Sequence, residues 1–182
     1  MRFIVRGFPG PSWGACFIFT DGFWTRLKAA GLVDWRRRMF TVDDFLAVED
    51  LVTAELPIRQ RAMRGLAALV DESFGVDAAN LAELLRSRGG IHTLVRLLDD
   101  ESAGVHHRAM MVLGNLVGEF FDEEACQSLV QLCDAGGLER VLVHIERPFP
   151  SCLYATACLQ NMTAIDDACC AELRDAGGGP KL

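Results

Sequence analysis

The residues able to act chemically on another molecule are few in this 182-residue chain, and none is arranged for catalysis. The paired carboxylates Asp99-Asp100, Asp122 to Glu124 and Asp166-Asp167 fall at expected helix ends and linkers, where capping and solvation account for them. There is no Gly-rich phosphate loop, no His-Glu-x-x-His step, no Gly-x-Ser-x-Gly elbow and no Cys/His pair in an activating setting. The seven cysteines, Cys16, Cys126, Cys133, Cys152, Cys158, Cys169 and Cys170, are odd in number and contain no Cys-x-x-Cys. Most lie on apolar helix faces, so buried, reduced thiols are expected rather than a disulfide frame or a metal site. A helix sends adjacent His106 and His107 to different sides, which predicts a solvent-exposed pair rather than a chelate. What remains is a pair of amides: Asn115 and Asn161 lie 46 residues apart in matching surroundings, and each carboxamide offers one acceptor and two donors. The chain is therefore expected to be no enzyme and to use no metal or cofactor.

The amides belong to a repeat. Residues 58–69, 105–116 and 151–162 each place a small Ala (Ala62, Ala109, Ala155) four residues before Leu66, Leu113 and Leu159 and seven before Leu69, Leu116 and Met162. That spacing puts all three on one helix face and predicts Ala62, Leu66, Ala109, Leu113, Ala155 and Leu159 to be buried. A period of 46 to 47 residues reads as a helical solenoid, whose units cannot bury an apolar face alone and must stack. Ahead of each later copy runs a helix closed by a glycine pair, at Gly89-Gly90, Gly136-Gly137 and Gly177-Gly178, where glycine tolerates the left-handed conformation of a C-cap. A second apolar helix follows, through Ile91, Leu94, Val95, Leu97 and Leu98 and then Leu138, Val141, Leu142 and Ile145. Phe45, Val48, Leu51 and Val52 are its forerunner. The glycine pairs are 47 and then 41 residues apart, and the additional length falls in a longer connection at residues 118–124.

Three helices per unit, the Gly-Gly-Ile/Leu-x-x-Leu/Val-Val/Leu step and the Ala-x-x-x-Leu-x-Asn-Leu/Met ending together resemble the armadillo repeat over residues 41 to 178. The resemblance implies an all-α, armadillo-type right-handed helical solenoid of about three repeats, the last incomplete. Its units are 41–79, 80–124, 125–165 and a partial 166–182. In that family the third helices line a concave face, which implies a partner-binding set of Asn115, Asn161, Met111, Arg108, Tyr154 and Gln160 that grips a protein partner or extended peptide. Residues 112–119 and 155–162 resemble most closely the importin-α nuclear-import adaptors, which implies as the alternative function a recognition of basic import signals. The Trp that those adaptors carry four residues before each Asn is Met111 in one copy and Ala157 in the other, and Ala68 stands where the first Asn would be.

Charge and composition set the surroundings. Residues 1–40 carry seven basic and two acidic side chains, whereas residues 41–182 carry 11 basic and 23 acidic. The repeats are therefore expected to repel nucleic acid and attract basic partners, with a groove of acidic walls as the sharper form of that reading. No apolar run approaches the roughly 18 residues that cross a bilayer, so no membrane insertion is expected, and a cytoplasmic or nuclear location follows from the thiols. Residues 1–40 hold nine of the fifteen aromatics and are expected to cap the first helix pair, with Arg36-Arg37-Arg38 as a conceivable internal pseudo-cargo. The chain stops after one helix of the last unit, which would leave an open C-terminal edge for a partner or for self-association.

Overall fold

In a computed structural model of the chain, residues 40–48 and 50–165 are described, and within them every regular element is a helix. They are α1 (Val42–Leu46), α2 (Leu56–Glu72), α3 (Val76–Ser87), α4 (Gly90–Arg96) with a 3-10 turn at Leu97–Asp99, α5 (Ala103–Leu116), α6 (Ala125–Asp134), α7 (Gly137–Ile145) and α8 (Ser151–Ile165). The order is that of a helical solenoid: α3, α4 and α5 form one three-helix unit, α6, α7 and α8 the next, and α1 with α2 precede them. The caps at residues 1–39, the arginine run, the aspartates 166–167, the last glycine pair and the partial unit 166–182 lie outside the described residues. Cys16, Cys169 and Cys170 do too.

Local chemistry sets the helix ends. Gly89 and Gly136 take positive φ of 75° and 70°, the left-handed step expected between first and second helices. The second glycine of each pair serves packing instead: a Cβ on Gly90 would come within 2.6 Å of Leu85 Cδ2, and one on Gly137 within 2.8 Å of the Leu132 carbonyl oxygen. Pro57 occupies the first turn of α2, where no N–H is missed. The forerunner helix is shorter than the apolar spacing predicts. It ends at Leu46, and Asp50 at φ 45° takes the chain out of helical geometry, so Leu51 reaches the core from a turn. Helix α3 starts at Val76 and straddles the 79/80 division drawn from the sequence. Residues 117–124 form the lengthened connection, held by Phe121 N–H to the Gly118 carbonyl at 2.8 Å.

The third helices pack side by side, α2 against α5 and α5 against α8, with Ala62, Leu66, Ala109, Leu113, Ala155 and Leu159 all buried. Gly114 allows the close approach of the last pair, since a Cβ there would lie 3.4 Å from Cys158 Cα. Polar cross-links follow the same period. Arg59 with Asp100, Gln60 with Ser102, Arg88 with Asp43, His107 with Ser151, His144 with the Leu98 carbonyl and Asn161 with the Gly114 carbonyl join residues 41 to 47 apart. Each thus ties one unit to its neighbour.

Two carboxylates do more than cap and solvate. Asp100 Oδ1 accepts the Ser102 N–H at 2.8 Å while Oδ2 pairs with Arg59. Asp122 Oδ1 accepts the Glu124 N–H at 3.1 Å while Oδ2 pairs with Arg86, itself bonded to Ser128 Oγ at 3.0 Å. The Arg86 and Asp122 side chains are only 5% and 2% exposed, which makes this an interior ion pair locking α3 to the start of the next unit.

Candidate functional site

Aligning the third helices on their alanines places side chains in rows that cross α2, α5 and α8. One row is Arg61, Arg108 and Tyr154; the next is Arg64, Met111 and Ala157, then Ala68, Asn115 and Asn161, and last Asp71, Gly118 and Ala164. The amide row and the last row meet at a cleft of about 80 Å³, walled by Val70, Phe74, Phe121 and Ile165 with Asn115, Asn161, Asp71 and Glu119. It accommodates one aliphatic side chain rather than a drug-sized molecule, which needs roughly 300 Å³ or more. Phe120, 65% exposed, stands at its edge.

Both amides are anchored by one of their two N–H groups. Asn115 donates to the Met111 carbonyl of its own helix, and Asn161 donates to the Gly114 carbonyl of the adjoining unit, each at 2.8 Å. Gly118 leaves room for this: a Cβ there would sit 3.4 Å from the Asn161 amide nitrogen. Both side chains line the cleft, and a carboxamide has a second N–H and a carbonyl oxygen beyond the anchoring bond, the pair of functions that matches an extended backbone. Ala68, exposed on α2, leaves the row one amide short.

The other residues expected to bind a partner divide. Arg108 is half-buried with its guanidinium donating to the Gly104 carbonyl; Tyr154 stacks on His107 at 5.0 Å; Gln160 is half-buried. Met111 is corrected from a surface contact to a core residue, 8% exposed, on a helix packed between α2 and α8. Ala157 is buried as well. The face is mixed in charge: exposed Arg61 and Arg64, with Arg108, lie on one side of the amide row, where Arg61 and Arg64 share a recess with Phe40, Asp44 and Val48, and Asp71 and Glu119 lie on the other.

The histidines differ most from expectation. His106 is buried rather than exposed, and its ring lies 4.5 Å from His107 and 4.8 Å from His144, which arrives from α7. Burial holds His107 down to about 4, with His106, His144, Arg108 and Arg147 adding repulsion; burial likewise lowers His144 against the opposing pull of its bond to the Leu98 carbonyl. The His107 and His144 rings are thus neutral wedges between units. Aligned on the glycine pairs, His144 replaces buried Leu97, a signal present in the sequence but hidden among apolar neighbours. No cluster among the described residues has the geometry to hold a metal ion. Cysteines are less buried than expected: Cys158 is interior, Cys133 and Cys152 are half-buried and Cys126 is exposed, and none of these four is in a disulfide.

Comparisons with known proteins address the fold. An engineered protein solved by a structural genomics consortium superposes with a TM-score of 0.61 at 24% identity, covering 77% of this chain and 52% of that one. A designed armadillo repeat protein gives 0.60 at 20% identity, with 75% and 53% covered. The chain thus spans about half the length of each. No protein-family model and no curated protein sequence matches. At these identities the likeness defines the class, an armadillo-like helical repeat fold. No helix of the described residues is long and apolar enough to cross a membrane.

Proposed function

We propose that the protein is a non-catalytic interaction scaffold that holds an extended segment of a partner protein along the face of its third helices. The observation that carries this reading is the amide row: Asn115 and Asn161 are fixed in orientation by one N–H each and line the cleft. An import-adaptor role finds little support in the same face, since Arg64, Met111 and Ala157 stand where stacked indoles would grip lysine stems.

The test is a titration with peptides selected from a display library against the full chain. Asn115→Ala, which removes only a bond to its own helix, should weaken binding about 2- to 12-fold at unchanged melting temperature, from a net 0.5 to 1.5 kcal/mol per hydrogen bond. Ala68→Asn should complete the row and strengthen binding by a similar factor. Asn161→Ala also removes a tie between units, so it lowers melting as well as affinity. Selected peptides indifferent to both Asn115→Ala and Ala68→Asn would refute the amide row as the gripping element.

A further inference from the structure

The arginines show what the partner segment must carry. Nine arginines fall among the described residues, and five of them, Arg59, Arg86, Arg88, Arg96 and Arg140, are paired with aspartates. Four have no ion pair among the described residues: Arg61, Arg64, Arg108 and Arg147. Three of those four lie in the two rows beside the amides, on α2 and α5. In a region whose acidic residues outnumber basic ones 23 to 11, carboxylates are abundant, yet these three guanidiniums are left without one. The opposite side of the amide row is apolar and acidic, with Val70, Phe74, Phe121 and Ile165 around the cleft and Asp71 and Glu119 at its rim.

From this asymmetry we infer that the groove takes a peptide segment in which acidic and apolar side chains alternate, carboxylates toward Arg61, Arg64 and Arg108, one apolar side chain in the cleft and its apolar neighbours along that same edge. The inference rests on the scaffold reading above and specifies its partner. An extended chain gripped along its backbone by the amide row sends successive side chains to opposite edges, so the two edges of the groove read two different residue classes. Guanidinium forks suit carboxylates in particular, and Arg108 has donors to spare beyond its bond to Gly104. Three helices about 10 Å apart span roughly 20 Å, the reach of about six extended residues. Nucleic acid shares the negative charge but fits poorly, because Asp71, Glu119 and the net acidity of the units oppose a polyanion on the far edge.

The experiment uses the full chain and a fluorescent peptide of about nine residues with alternating Glu and Leu, against the same peptide with Lys for Glu and a short single-stranded oligonucleotide. The Glu/Leu peptide is expected to bind, to weaken as salt rises past about 0.1 M, and to lose roughly tenfold or more on the double substitution Arg61→Glu and Arg64→Glu at unchanged melting temperature. Tighter binding of the Lys/Leu peptide, an undiminished Glu/Leu affinity in the double variant, or displacement by the oligonucleotide at equal concentration would each overturn the inference. Asn115→Ala separates it from the scaffold reading. Binding that depends on the arginines but not on Asn115 sinks the amide grip and keeps the charge assignment; the reverse keeps the grip and sinks the charge assignment. Binding of neither peptide overturns the inference outright and leaves the library selection to decide the grip.

Discussion

Asp122→Ala is the sharpest perturbation of the stack, because Asp43→Ala provides its control within the same molecule. Both aspartates pair with an arginine of α3, Asp122 of the 118–124 connection with Arg86 and Asp43 of the preceding unit with Arg88. They differ in exposure: 5% and 2% for the first pair's side chains, 47% and 69% for the second. Removing Asp122 leaves a guanidinium inside the protein without its carboxylate, a loss of about 3 to 5 kcal/mol. Ser128 and Glu83 still accept from Arg86, at 3.0 and 3.1 Å, which places the effect toward the lower end of that range. The Glu124 N–H also loses its acceptor, adding about 0.5 to 1.5 kcal/mol. Asp43→Ala should change stability by at most about 1 kcal/mol, because solvent already screens that pair. Urea denaturation followed by circular dichroism measures both. Adding Arg86→Met to Asp122→Ala should restore most of the loss, since an apolar side chain asks for no counter-charge. Midpoints for Asp122→Ala and Asp43→Ala that coincide, or a double variant no better than the single, would refute the argument that burial sets the strength of these ties.

Leu113→Ala and Leu159→Ala each empty a fully packed site and should cost about 2 to 5 kcal/mol in the same denaturation assay, with amide exchange speeding mainly in the adjoining units. Curves that overlay the parent would remove both from the core. The histidine wedge predicts a pH dependence. With the folded His107 held down to about 4 and His144 also lowered, the unfolded chain binds protons that the folded chain refuses, so stability is full above about 6.5 and falls as pH drops toward 4. The variant carrying His107→Gln and His144→Gln should lose less stability than the parent between about pH 7.5 and 5; an equal loss would show that the rings do not carry the effect.

Much of the stack was legible because burial repeats. The Ala and Leu spacing of the third helices and the glycine pairs recur at a fixed offset, and each recurrence is independent support for the same helix. Asn115 and Asn161 were legible for the same reason, and the 118–124 insertion showed as a change of spacing. Three things were not. The break after α1, which ends at Leu46 with the chain turning through left-handed Asp50, is one: Asp is a type compatible with that conformation but not diagnostic of it. Adjacent histidines suggest a surface pair when read along one helix; only the arrival of α7 shows that both rings face neighbouring helices and that His106 is interior. Met111 and Arg64 occupy corresponding places in the repeat, yet one is buried and the other exposed: α5 packs between two long third helices, whereas α2 has one of them on one side and the short α1 on the other. Net charge alone does not describe the groove, since a sum over the chain says nothing of which arginines are already paired.

The cross-links spanning 41 to 47 residues have a consequence for growth in length. Closing a loop of that size costs the chain about 3 kcal/mol from the logarithmic term alone, and that cost is set by the period rather than by the total number of residues. In a fold whose ends must meet, every added residue widens some loop that has to close. Here each added helix triplet meets the same closure as the one before and brings the same kind of face to offset it. Array length is thus decoupled from folding entropy, and the number of units is left for the partner's reach to decide.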